Sequence, residues 1–164
     1  PENTNNNNHT NYVLYDNKYY DIGGDLVITD YGQSGANFYN LDIDIFPPSN
    51  SESDYNLYFE MFSPDTMLES GIYNFSDDIG SMTFDIGEFV VFDEDEELLY
   101  VQFTNGTIDL SINTENLTIT LNVEGTTNTN KDITAHWEGS YIYQDAWNVI
   151  DSEENLKKNK RINL

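Results

Sequence analysis

Residues 37–46 read NFYNLDIDIF, and apolar and polar side chains alternate strictly along them. Tyr39, Leu41, Ile43 and Ile45 fall on one face; Asn40, Asp42 and Asp44 fall on the other. Successive side chains of an extended chain point to opposite faces, so this is a half-buried β-strand. Pro47 and Pro48 end it, because proline has no N–H to give to a ladder. The polar run SNSESD, residues 49–54, then reads as a loop. The period of two resumes in YNLYFEMF, residues 55–62. Tyr55, Leu57, Phe59 and Met61 share one face, while Tyr58 and Phe62 stand on the other beside Glu60.

The same pattern continues in both directions. Towards the N-terminus, residues 11–22 and 25–31 read as short strands, with Asn17 and the pair Gly23–Gly24 supplying turns. Towards the C-terminus, Pro64 and Gly71 bracket a loop that leads into a short strand. SMTFDIGEFVVF, residues 81–92, is a long strand in which Gly87 suggests a bulge or bend. The acidic run DEDEE, residues 93–97, reads as a hairpin-like turn. Asn105–Gly106 is the strongest short hairpin signal and separates LLYVQF from GTIDLSI. LTITLNV and DITAHWEGSYIY, residues 117–123 and 132–143, complete the series. About ten strands at a spacing of roughly 8–12 residues predict an all-β fold, an antiparallel barrel or sandwich with a meander of sequence-adjacent strands.

Three segments follow: an Asn-rich tether at residues 1–10, a β domain at 11–143 and a tail at 144–164. The tether is nearly free of apolar side chains and cannot offset the entropy of ordering. In the tail, Asp151 and Glu154 have the spacing of a capping box, which predicts a short helix through Lys160. Trp147 and Ile150 are expected to pack on the body while residues 157–164 stay loose.

The chain has 164 residues, six Lys+Arg, thirty Asp+Glu and no Cys, for a formal charge of −24. Four of the basic residues, Lys157, Lys158, Lys160 and Arg161, lie in the tail, so the body carries essentially all of the negative charge. Such a surface excludes binding to nucleic-acid phosphates and adsorption to anionic lipid. An acidic mimic of nucleic acid is compatible with the charge, but the strand pattern gives it no support. The lack of Cys excludes disulfides, thiolate catalysis and zinc–thiolate sites. No apolar run reaches the roughly 18 residues of a membrane span. The chain begins at Pro1 rather than Met, as a processed chain would.

The segment from Gly106 to Tyr143 resembles the C-terminal half of small Bacteroidetes cell-envelope lipoprotein domains. The similarity rests on Gly106–Thr107, Leu117–Val123, Gly125, Ile133–Thr134 and Gly139, and on the run SGIYNFS at residues 70–76. It covers residues 12–143 by pattern rather than by one sharp motif. The resemblance implies a calycin- or lipocalin-like barrel or sandwich without assigned activity. It also implies a place in the periplasm or on the surface of a Gram-negative cell, with a lipid tether outside this chain. Asp65-Thr66-Met67 resembles the O-glycosylation pattern of the same bacterial group, which would make Thr66 a modification site.

Few residues carry catalytic chemistry. His136 lies on a strand and shares an outer face with Thr134 and Glu138. A nucleophile–His–acid site would need Ser140 or a remote serine, and no G-x-S-x-G elbow occurs. Among thirty acids a carboxylate pair at glycosidase spacing arises by chance. Hard oxygen ligands make calcium the best candidate metal, at Asp93 and Asp95, although no EF-hand loop is present. Twelve tyrosines and two tryptophans could serve recognition or fill the sheet. Tyr58 and Phe62, on the face opposite the core row, are the candidates for an exposed ligand-binding patch. The expected function is that of a monomeric, non-enzymatic binding module of the cell envelope, its partner a glycan, a protein or a small apolar ligand.

The charge generates a test. Self-repulsion opposes the compact state and salt screens it. Thermal melts should rise from low to moderate salt, and calcium should raise them further over EDTA. Identical melting temperatures in all four conditions would remove both the repulsion and the calcium expectations.

Overall fold

The computed structural model describes residues 10–92 and 97–146. The tether up to residue 9, Asp93 and Asp95, Trp147, Ile150 and the expected helix lie outside the described residues. Within them the regular structure is all strand: β1 (Tyr12–Tyr15), β2 (Lys18–Asp21), β3 (Asp25–Gln33), β4 (Tyr39–Phe46) and β5 (Tyr55–Ser63), then β6 (Gly71–Phe75), β7 (Thr83–Phe92), β8 (Leu98–Asn113), β9 (Thr118–Thr127) and β10 (Asp132–Asp145). The last strand runs two residues past the expected boundary at Tyr143. Among the described residues no helix is long and apolar enough to cross a membrane.

The ten strands form one sheet that closes on itself. The ring runs β3-β4-β5-β7-β8-β9-β10 and returns to β3. Seven strands that alternate up and down cannot close with every neighbour antiparallel. The closing pair, Tyr141–Asp145 of β10 against Leu26–Asp30 of β3, is accordingly parallel. This departs from the expected all-antiparallel meander. A second parallel pair has a different origin. β7 and β8 pair over Glu88–Phe92 and Leu98–Gln102 and then diverge, and β6 fills the gap, parallel to β7 and antiparallel to β8. In a similar way the β1–β2 hairpin pairs with the first part of β10, whose later part pairs with β3. Its turn places Asp16 and Asn17 at positive φ, 51° and 62°, as a two-residue hairpin requires.

Aromatic rings fill the centre of the barrel. Phe59 meets Phe84 at 5.8 Å and Phe103 at 5.4 Å between centroids, edge to face, and Phe84 meets Phe75 at 5.5 Å in the same way. Edge-to-face packing aims positive ring edges at negative ring faces. Gly87 opens the space for this cluster. A Cβ there would stand 2.9 Å from the Phe103 ring and 3.1 Å from that of Phe59. Tyr20 of β2 reaches in to Phe89 at 5.3 Å.

Asn105–Gly106 does not turn the chain. β8 runs straight through it as one strand of 16 residues, with a register shift against β9 between Phe103 and Asn105. Two-residue hairpin chemistry and a bulge both call for glycine-tolerant backbone, and here the partner strand decides. Gly106 has φ +150°, and a Cβ on it would lie 2.5 Å from the Glu124 carbonyl oxygen. The close approach of two backbones, rather than a reversal, is what requires glycine. Gly106→Ala should therefore destabilise the fold by about 1–3 kcal/mol, the usual scale for enforced backbone strain. A denaturation midpoint equal to that of the parent chain would show that the bulge is not constrained in this way.

Candidate functional site

The inward row Leu41, Ile43 and Ile45 of β4 is fully buried in the core. Strand geometry therefore fixes Asn40, Asp42 and Asp44 on the outside of the barrel. The register places Asp42 opposite Glu60 and Asp44 opposite Tyr58 of β5, and Asp42 opposite Thr29 of β3. The polar residues of three neighbouring strands thus meet on one outer face.

Two bulges add to this face. The β3–β4 register shifts between Asp30 and Gly32, which leaves Tyr31 as the extra residue. Gly32 has φ +84° and its N–H donates to Asp30 Oδ1 at 2.7 Å. The β5–β7 register shifts where Glu60 pairs with Ile86 and Met61 with Phe84, which leaves Asp85 as the extra residue. Bulges re-aim side chains. Tyr31, 48% exposed, stands close enough to Asp42, Asp44 and Glu60 for their charges to raise its pKa, although burial contributes most. Asp85 faces Glu60 and Asp42.

Three donors on the face are already engaged. The Tyr58 hydroxyl donates to Asp42 Oδ2 at 2.8 Å. Asn40 Nδ2 donates to Glu60 Oε1 at 2.6 Å, and Asn56 Nδ2 to Asp44 Oδ1 at 3.2 Å. Three buried acceptors remain without a protein partner: Asn40 Oδ1, Asp42 Oδ1 and Asp85 Oδ1. Asp42 is only 7% exposed, which is unusual for an aspartate. Burial pushes its pKa up to about 7, against the Tyr58 hydrogen bond, and Glu60, Asp44 and Asp85 push it the same way. Burial also raises Asp44 and Glu60, and for Glu60 the neighbouring Asp85 carboxyl adds to the rise. Burial and the bond to Asp42 hold the Tyr58 proton firmly.

Of the expected ligand-binding pair, Tyr58 lies on this face, half-buried. Phe62 does not form an exposed patch: it is 1% exposed. Alternation placed it correctly on the outer face, but the loop between β3 and β4 folds over it, and Phe38 packs edge to face on its ring at 5.8 Å. Thr66 is exposed in the loop between β5 and β6, where its N–H donates to Asp65 Oδ1 at 2.7 Å. His136 is on the outer face of β10 as expected, with Nδ1 2.7 Å from Asn122 Oδ1 and Nε2 3.9 Å from Glu138 Oε2. Among the described residues no group of three or more His, Asp or Glu is arranged to hold a metal ion. An open groove of about 620 Å³ lies elsewhere, between Tyr20, Asp21, Asp54, Tyr55 and Phe92. Sequence reading missed Asp42 and Asp85. The run NLDIDIF showed that acids would face outward, but nothing in it showed that the outer side would also be covered.

The raised carboxyl groups set a pH dependence. An unfolded aspartate loses its proton near 3.8, while Asp42 in the fold keeps it to about 7. Between these values the folded state binds more protons, so this contribution to stability is full below about pH 4 and is lost as pH rises to 7. Asp42→Asn, which keeps an acceptor for Tyr58 and cannot ionise, should flatten that decline and raise the melting temperature at pH 8. Melting curves of the two chains that run parallel from pH 4 to 8 would contradict this assignment. No family model, curated protein or solved structure matches the chain. The geometry of this face therefore carries the functional reading by itself.

Proposed function

We propose that the protein is a non-enzymatic binding module of the cell envelope, and that the outer face of β3, β4, β5 and β7 binds a glycan. The observation that carries the reading is a row of half-buried polar side chains, Asn40, Asp44, Tyr58 and Glu60, that share one outer face. A sugar offers several hydroxyl donors on one rigid ring to such acceptors. Tyr31, carried outward by its bulge, supplies an aromatic surface against which a sugar ring can pack.

A small apolar ligand is favoured less. The space such a ligand would need inside the barrel is taken by Phe59, Phe84 and Phe103. The envelope location and the tether are part of the proposal and are supported by the family resemblance and the Asn-rich start; the monomeric state is part of the proposal as well.

Screening against an array of envelope polysaccharides and their oligosaccharides tests the reading. Binding should be found and should weaken about tenfold in Tyr31→Ala, equivalent to 1.4 kcal/mol. Binding that is unaffected by Tyr31→Ala and by Asp44→Asn would place the ligand on another surface.

A further inference from the structure

We infer that the protein also docks an extended, basic peptide segment by strand addition along residues 98–101 of β8. The inference does not rest on the glycan reading and concerns a different stretch of the barrel. β9 covers β8 only from Phe103 onward. Asn128 extends that cover by one residue: its N–H donates to the Gln102 carbonyl oxygen at 2.8 Å, and its Oδ1 accepts from the Gln102 N–H at 3.3 Å. The chain then turns away, with the Thr127 N–H bonded to the Lys131 carbonyl oxygen at 2.9 Å. Residues 98–101 run on with β7 on one side and, among the described residues, no strand on the other.

The main chain presents this edge in a definite phase. Along an antiparallel pair, the N–H and C=O of alternate residues point to the same side. Gln102 directs both groups away from β7, so Leu98 and Tyr100 direct theirs away from it too. Phe92, opposite Leu98, sends its N–H to the Asp54 carbonyl oxygen at 3.2 Å, on the side away from β8, as that phase requires. The outward side chains are apolar. Leu98 is 56% and Tyr100 44% exposed, and they lie across from Phe92 and Val90. Open edges are normally blunted by a charge or a proline on the strand itself. The run LLYV carries neither.

Charge selects the occupant. Glu88 stands beside the edge, where its Oε1 accepts from the Tyr100 hydroxyl at 2.6 Å and from Gln102 Nε2 at 3.0 Å. Glu97 directly precedes Leu98 in the sequence, as the last of five successive acids. The two basic side chains among the described residues are engaged elsewhere: Lys18 lies over the Tyr20 ring, and Lys131 is paired with Asp16. A second copy of this chain would bring a further charge of −24 and be repelled. A segment that alternates Lys or Arg with apolar residues answers all three features. Its backbone pairs with Tyr100, its apolar side chains lie beside Leu98 and Tyr100, and its cations meet the acidic rim.

The probe is a blocked heptapeptide of alternating Lys and Val, added to the full chain and followed by NMR amide exchange and by titration. The Tyr100 amide should exchange at least tenfold more slowly with the peptide bound. The counterpart with Glu for every Lys should bind at least tenfold more weakly, by a margin that narrows with added salt. A fully N-methylated form, which keeps the side chains but has no N–H, should lose binding, and so should the parent peptide on the Leu98→Lys chain. Leu98 is exposed, so that variant tests the edge without disturbing the core. Unchanged exchange at Tyr100, equal affinity for the Glu peptide, or equal affinity for the N-methylated peptide would each overturn the inference. Sedimentation showing dimers of the chain alone, with Tyr100 already protected, would give the edge to a second copy and overturn it as well.

Discussion

Burial of Leu41, Ile43 and Ile45 is the constraint on which the rest of the structure depends. All three are completely enclosed, and β4 cannot slip by one residue without exchanging them for Asn40, Asp42 and Asp44. Fully burying each aliphatic side chain contributes about 1.5–3 kcal/mol, so the register is held firmly from inside. The outward row has no say in its own position. Asp42 is held against Thr29, Tyr58 and Glu60 because the other face of its strand is in the core. The polar face is thus a consequence of the apolar one, and the energy that keeps its carboxyl groups together comes from the barrel interior.

Ring closure adds a second constraint. An odd number of alternating strands demands one parallel seam, and that seam falls between β10 and β3, beside the polar face. Gln144 of β10 donates to Thr29 Oγ1 at 2.9 Å and Tyr143 to Asp30 Oδ2 at 2.6 Å, so the seam is pinned by side chains at the edge of the site. The bulges at Tyr31 and Asp85 lie one on each side of Asp42 and Glu60. One carries an aromatic surface to the rim and the other inserts a further acid. A ladder without bulges would have neither residue where it is.

The fold class was legible in the sequence because strict alternation such as that of residues 39–45 has one physical reading. The turn at Asn17 was legible for a similar local reason. What escaped was decided by partners distant in the chain. Asn105–Gly106 has the chemistry of a hairpin, yet β9 lies alongside and holds β8 extended. Phe62 belongs to the outer face, yet Phe38 covers it. Gly87 signalled a bulge or bend in β7, but the bulge falls two residues earlier, at Asp85, and the glycine after Tyr31 was not read as a bulge. The candidate site was therefore half visible: its strand, its acids and Tyr58 could be read, but the burial of Asp42 and the arrival of Asp85 could not.

The account turns on Asp42 being an acid enclosed on the outside of a barrel by its neighbours. Titration of its side-chain carboxyl carbon by NMR measures that enclosure directly. The account predicts a midpoint near 7 for Asp42. A midpoint near the ordinary aspartate value of 3.8 would mean that the carboxylate is solvated and its oxygens are satisfied by water, which would contradict its enclosure on the outer face.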